Sequence, residues 1–161
     1  EKELKKALNN ILKEAMTKAS EDIKKDLNDY IWVNWYLARP ESEFYERTYQ
    51  FINSLTIKPV YTYRGELKTD IYFDISKIEA NWTGTGFNQH MSFDGSWKYD
   101  NENISWHLLN WLEVGNNGIY GNNPIKGIHY LQKVNDYYET GGLDRIIRRT
   151  FQKYGIVISK L

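Results

Sequence analysis

The chain has 161 residues, the size of one ordinary domain, and its 41% hydrophobic content is enough for a single buried core. Its 21 basic and 21 acidic side chains cancel, which removes the excess positive charge that drives phosphate binding and excludes sequence-specific nucleic acid as the expected partner. With no cysteine there is neither a disulfide framework nor a thiolate metal site, and no run approaches the roughly 20 apolar residues of a membrane span.

The first residue is Glu1, not methionine, and the charged start lacks the apolar core of a signal peptide, so the chain reads as a trimmed gene product assembled in a cytoplasm. From Leu4, the apolar positions Leu8, Ile11, Leu12, Ala15, Met16, Ala19, Ile23, Leu27, Tyr30 and Ile31 recur at three- and four-residue spacing between Lys, Glu and Asp. This predicts one long amphipathic helix over about residues 3–37. At about 1.5 Å per residue it would run about 40 Å, longer than so small a domain needs, so part of its stripe is expected to pack on a neighbouring subunit.

Pro40 biases the preceding residue away from helical geometry, and Ser42 offers an N-cap for a second short helix through Phe44, Thr48, Phe51, Ile52 and Leu55. Residues 45–55 thus read as a hinge between helix and strand. Leu55, Ile57, Tyr61 and Tyr63 alternate, as do Ile71, Phe73 and Ile75, with a turn around Arg64-Gly65-Glu66; this predicts a two-stranded hairpin, in which Pro59 marks an edge or a bulge.

Residues 81–103, rich in Gly, Asn, Ser, Thr and aromatics, have no clean period and read as an inserted loop. Ile104–Val114 is helical, Gly115–Gly127 is a Gly/Asn-rich loop containing Pro124, and Ile128–Tyr138 is helical up to a break at Gly141-Gly142. Leu143, Ile146, Ile147, Phe151 and Tyr154 mark a last helix that Gly155 can cap, before a β-prone tail, Ile156–Ile158, that can add to a sheet or to another chain. The class is α+β in a single domain: a long N-terminal amphipathic helix, a small antiparallel sheet, and two or three shorter C-terminal helices.

No catalytic, cofactor or metal set emerges. The three histidines, His90, His107 and His129, lack the i, i+4 spacing of a zinc helix, and neither a nucleophile elbow nor a phosphate loop is present, so the chain reads as a non-enzyme without cofactors. Asp94 with Asp100, or Glu102 with Glu113, beside Trp82 and Trp97 leave a lesser reading as a carbohydrate-binding or cell-wall-acting module. Aromatic residues are 16% of the chain, with 13 Tyr and 6 Trp, a supply of large contact area that favours surfaces meeting other proteins.

From Gly141 onward Arg145, Arg148, Arg149, Lys153 and Lys160 stand against Asp144 alone, while the aromatic loop leans acidic. Opposite charge at separate places can orient subunits in a ring or steer a partner. A solvated helix face accounts for Arg145 and Lys153 better than for the pair Arg148-Arg149, which is the interface candidate.

The order of features then matters: a long charged helix, Arg47-Thr48 with Phe51, Ser54 and Leu55 leading into strands, and Glu113-x-Gly115 after a short apolar helix. This order resembles the tail-completion, or head–tail joining, family of long-tailed bacteriophages. Tyr49 stands where that family has glycine and Asn116 where it has threonine. The resemblance implies a structural ring at the neck of a virion, assembled in the host cytoplasm, that bridges the tail tube or its terminator to the head connector. A tail terminator or head-closure ring of the same particle is the neighbouring alternative. By its own chemistry Arg47 is expected to make an ion pair, with Glu113 as the candidate, or a carbonyl-capping contact at the hinge, Gly115 to hold a positive φ at the helix end, and Trp82, Trp97, Arg148 and Arg149, like Thr48 and Ser54, to be structural or interface positions.

Overall fold

The computed structural model describes residues 1–38, 49–78, 105–116 and 125–159. Its class is mixed α/β and mostly helical, with a long N-terminal helix, short antiparallel strand pairs and shorter C-terminal helices, as the periodicity predicts. The chain groups into two compact units: Glu1–Asp29 with Leu55–Tyr72 and Leu131–Leu161, and Tyr30–Ser54 with Phe73–Tyr130.

Helix α1 spans Lys2–Ile31 and continues as a π-helical turn, Trp32–Leu37, so helical backbone reaches the predicted end. Within the first unit Ile11, Ala15, Ala19, Ser20 and Leu27 are buried. Ile11, Ala15 and Ala19 follow i, i+4, i+8, which stacks them on one face, and the two alanines let a neighbour approach the helix backbone closely. Ion pairs at i, i+4 join Lys18 with Asp22 and Lys25 with Asp29 along the helix surface. Residues 1–10 are exposed throughout, Leu4 and Leu8 included.

The predicted hairpin is present, divided into four strands: β1 (Leu55–Ile57), β2 (Tyr61–Tyr63), β3 (Glu66–Lys68) and β4 (Ile71–Phe73). β2 pairs antiparallel with β3 in the register Tyr61↔Lys68, Thr62↔Leu67 and Tyr63↔Glu66. The turn residues Arg64 (φ 51°) and Gly65 (φ 83°) both have positive φ, as a two-residue loop of the twist-compatible kind requires. β1 pairs with β4 farther down the ribbon. The interruption falls at Pro59, which has no N–H to give a ladder; around it the Lys58 N–H donates to Asp70 O at 2.9 Å and the Thr69 hydroxyl to Lys58 O at 2.8 Å. Ile75 does not extend the strand: it opens a 3-10 turn, Ile75–Lys77, that Asp74 caps by accepting from the Ser76 N–H and hydroxyl.

In order, the remaining helices are α2 (Gln50–Asn53), α3 (Ser105–Val114), α4 (Tyr130–Tyr137) and α5 (Leu143–Lys153). Tyr138–Gly142 joins the last two, and Gly141, at φ 112°, breaks the helical path at the predicted site. α5 ends in a glycine cap: the N–H of Ile156 donates to Phe151 O at 3.1 Å and that of Gly155 to Gln152 O at 3.0 Å, with Gly155 at φ 71°. That double bond pattern satisfies two of the carbonyls a helix end leaves without partners. The tail beyond it joins no strand among the described residues, contrary to its β-prone composition. Instead the Arg148 guanidinium donates to Ile158 O.

Two tyrosines tie this C-terminal segment to α1. The Tyr138 hydroxyl donates to Asp26 at 2.7 Å and the Tyr154 hydroxyl to Glu14 at 2.6 Å, with Lys153 3.8 Å from Glu14. The anchors run in opposite order along the two segments, so residues 138–154 lie antiparallel to α1.

Replacing Gly155 by Ala should lower stability by about 1–2 kcal/mol, the cost of forcing a Cβ into left-handed backbone, whereas Gly155→Asn should retain most of it. Urea unfolding of the two variants beside the parent measures both.

Candidate assembly surfaces

The sequence places Glu113 and Gly115 at the end of a short helix, and the structure makes that end the junction of the second unit. Gly115 has φ 90°, so the chain turns out of α3 where an L side chain would be strained. It then enters a two-residue ladder, β5 (Gly115–Asn116) with β6 (Ile125–Lys126), paired Gly115↔Lys126 and Asn116↔Ile125. Sequence analysis reads this whole stretch as loop, because two residues are too few for alternation to register.

After β6 the chain returns under the end of α3. The N–H of Ile128 donates to Leu112 O at 2.8 Å and that of His129 to Glu113 O at 3.0 Å, giving the last carbonyls of α3 partners from a distant segment. Gly127 makes that approach possible: a Cβ there would lie 2.5 Å from Glu113 O and Val114 C and 2.6 Å from Gly115 N. The Tyr30 hydroxyl donates to Ile128 O at 3.1 Å, which fixes the returning strand from the side. Sequence reasoning missed Gly127, although a lone glycine between Lys126 and Ile128 in a β-prone stretch is the signal of close backbone approach.

Tyr130 comes directly after and is 1% exposed. Its ring meets Phe73 edge-on at 5.7 Å and Phe51 at 6.5 Å, while Phe51 and Phe73 stack at 4.7 Å. Burial, and then the nearby Glu113 carboxylate, hold the Tyr130 phenol proton well above the usual tyrosine range. Ser54, singled out from the sequence, is fully buried beside this cluster; its hydroxyl donates to Phe51 O at 2.7 Å and its carbonyl accepts from the Asp74 N–H at 2.9 Å. Ser54 and Gly115 are therefore framework positions, and the half-buried Glu113 joins them through its backbone.

The arginine pair separates. Arg148 is half-buried, its Nε 2.6 Å from Asp144 while its Nη1 donates to Ile158 O, so it clamps the tail to α5. Arg149 is exposed and makes no ion pair among the described residues. Arg145 and Lys153 share its side of α5 at four-residue spacing, and Arg145 also lies over the Tyr137 ring at 5.1 Å. Arg47, Thr48, Trp82, Trp97, the acids Asp94, Asp100 and Glu102, and the inserted loop lie outside the described residues, so the Arg47–Glu113 pairing does as well.

Among the described residues no group of three or more His, Asp or Glu side chains is gathered in a metal-holding arrangement, and no helix is long and apolar enough to cross a membrane. The open groove lined by Glu21, Lys24, Lys25, Asn28, Asp29 and Ile57 mixes both signs of charge. Large apolar side chains are also left in water, with Leu4 64% exposed, Leu8 37% and Val157 81% among them.

Gly127→Ala should destabilise the protein by at least about 1–3 kcal/mol, because the added methyl meets backbone that cannot step aside; thermal melting of the variant checks it. The folded protein holds the Tyr130 proton more tightly than the unfolded chain does, so that contribution is complete below pH 10.0 and is lost as the pH rises above it. Tyr130→Phe should flatten this alkaline fall in melting temperature.

Comparison with protein-family models, with curated proteins and with solved structures finds no match, so function is to be read from these residues.

Proposed function

We propose that this chain is a non-enzymatic assembly protein that closes into a ring with copies of itself, and that it serves as the tail-completion or head–tail joining ring at the neck of a long-tailed bacteriophage. One observation carries the assembly reading. Leu4 and Leu8 belong to the same helical stripe as the buried Ile11 and Ala15, yet both are exposed, so the apolar face of α1 continues beyond what the described residues cover. Burying a leucine is worth roughly 1.5–3 kcal/mol, so two of them on a rigid helix are a source of association free energy. The specific role rests on the resemblance of Arg47, Thr48, Phe51, Ser54, Leu55, Glu113 and Gly115 in their order.

In that role the ring meets the tail tube or its terminator on one side and the head connector on the other, within the virion. A tail terminator or head-closure ring would use the same surfaces, and the identity of the captured neighbour separates the three.

Leu4→Asp combined with Leu8→Asp should leave the melting curve unchanged and weaken self-association at least about tenfold, a change of roughly 1.4 kcal/mol. Light scattering after size exclusion reads the mass of both proteins, alone and with tail and connector components. A parent protein that stays monomeric and ignores those components overturns the reading.

A further inference from the structure

We propose that the outward face of α5 is the docking surface for residues 79–104 of a second copy of this chain, an electrostatic head-to-tail contact that deepens the ring reading and rests on it. α5 buries Thr150 and Phe151 and turns Arg145, Arg149 and Lys153 to solvent. Those three cations follow i, i+4, i+8, so they occupy an arc of about 80° on the helix surface. The fourth cation of the helix is already used: Arg148 is held by Asp144 and by the tail carbonyl of Ile158. Of the outward three, Arg149 has no ion-pair partner among the described residues. Lys153 has only a long, exposed contact to Glu14 at 3.8 Å, and Arg145 bonds a backbone carbonyl, Gly141 O, at 3.3 Å without being neutralised.

The charge that answers this face is in the same chain. The whole sequence is neutral, and residues 79–104 hold Glu79, Asp94, Asp100 and Glu102 against Lys98 alone, together with Trp82 and Trp97. A segment of net negative charge that carries large aromatics matches a face of exposed guanidinium groups in two ways, by ion pairing and by cation–π contact. Because the two partners are different patches of one chain, each copy offers one and accepts the other. Such contacts propagate from copy to copy until they close into a ring or extend as a filament. A phosphate backbone is the competing occupant of a cationic face, and the overall neutrality of the chain disfavours it.

A charge-swap experiment on the full chain decides the matter. One variant carries Arg145→Glu, Arg149→Glu and Lys153→Glu; a second carries Asp94→Lys, Asp100→Lys and Glu102→Lys; a third carries all six changes. Each of the first two should associate at least about tenfold more weakly than the parent. Their equimolar mixture, and the third variant alone, should recover assemblies of parental mass. The single change Arg149→Gln, which leaves the helix charge pattern otherwise intact, should weaken association several-fold and guards against misfolding of the triple variant.

Restoration in the third variant with no association at all between the first two in the mixture would mean that the two patches meet within one chain and would overturn the proposal. Parental assembly by the first variant would overturn it too, while leaving the ring reading in place. A labelled oligonucleotide that binds the parent and not the first variant, with self-association unaffected, would assign the face to phosphate instead. If the parent protein proves monomeric, the ring reading fails. In that case this contact, which needs a second copy, fails with it.

Discussion

A helix that ends against protein must find partners for its last carbonyl groups, and the second unit is organised by how α3 does so. The amides of Ile128 and His129 reach Leu112 O and Glu113 O because Gly127 lets two backbones come within touching distance. That approach sets the β5–β6 ladder on one side and delivers Tyr130 to the Phe51–Phe73 stack on the other. Three glycine-dependent features, the left-handed exit at Gly115, the close pass at Gly127 and the return strand, therefore act as one constraint. A buried ring cluster needs a backbone that arrives at a fixed place, and this junction supplies it.

The first unit solves a different problem with different chemistry. Where α1 is covered it presents the small Ala15 and Ala19 between the larger Ile11 and Leu27, so its backbone is approached closely at the alanines and apolar area is buried on either side of them. Tyrosine hydroxyls on carboxylates add direction to it: Tyr138 on Asp26 and Tyr154 on Glu14 set the antiparallel alignment. The glycine cap at Gly155 then turns the chain after α5, and Arg148 holds the C-terminal tail by its Ile158 carbonyl. Several of the tyrosines that composition alone assigns to contacts with other proteins are thus employed inside this chain, Tyr30, Tyr130, Tyr138 and Tyr154 among them.

Long-period signals were legible and short ones were not. The stripe from Leu4 to Ile31 could be read because it repeats over many turns, and the Arg64-Gly65 turn because both residues need positive φ between alternating runs. The Gly141-Gly142 break and the Gly155 cap follow from the same backbone chemistry. The β5–β6 ladder has too few residues for a period, and Gly127 looks like any loop glycine until the end of α3 lies against it. Arg148 and Arg149 are neighbours of one type in sequence; only the path of the tail, fixed by the glycine cap, makes one a clamp and leaves the other in water. Ser54 was singled out through its place in a motif, and its buried bond to Phe51 O gives it a local structural role that any such turn would need.

The single stripe of α1 has two fates, and the contrast bears on function. Where its own chain covers it the stripe carries Ile11, Ala15, Ala19 and Leu27, while at the N-terminal end Leu4 and Leu8 are exposed. A solvated helix end would gain nothing from leucine at Leu4 and Leu8, and polar residues there would keep the helix equally well, since helix propensity does not distinguish Leu from Lys or Glu by much. In the proposed ring, the surface that meets this apolar end is a second copy of the chain. The cations of α5 divide in the same way: Arg148 is used internally, whereas Arg149, one residue on, is exposed and has no ion pair among the described residues, which leaves it for the proposed contact. In the proposed ring, apolar excess at one place supplies adhesion and charge excess at another supplies orientation.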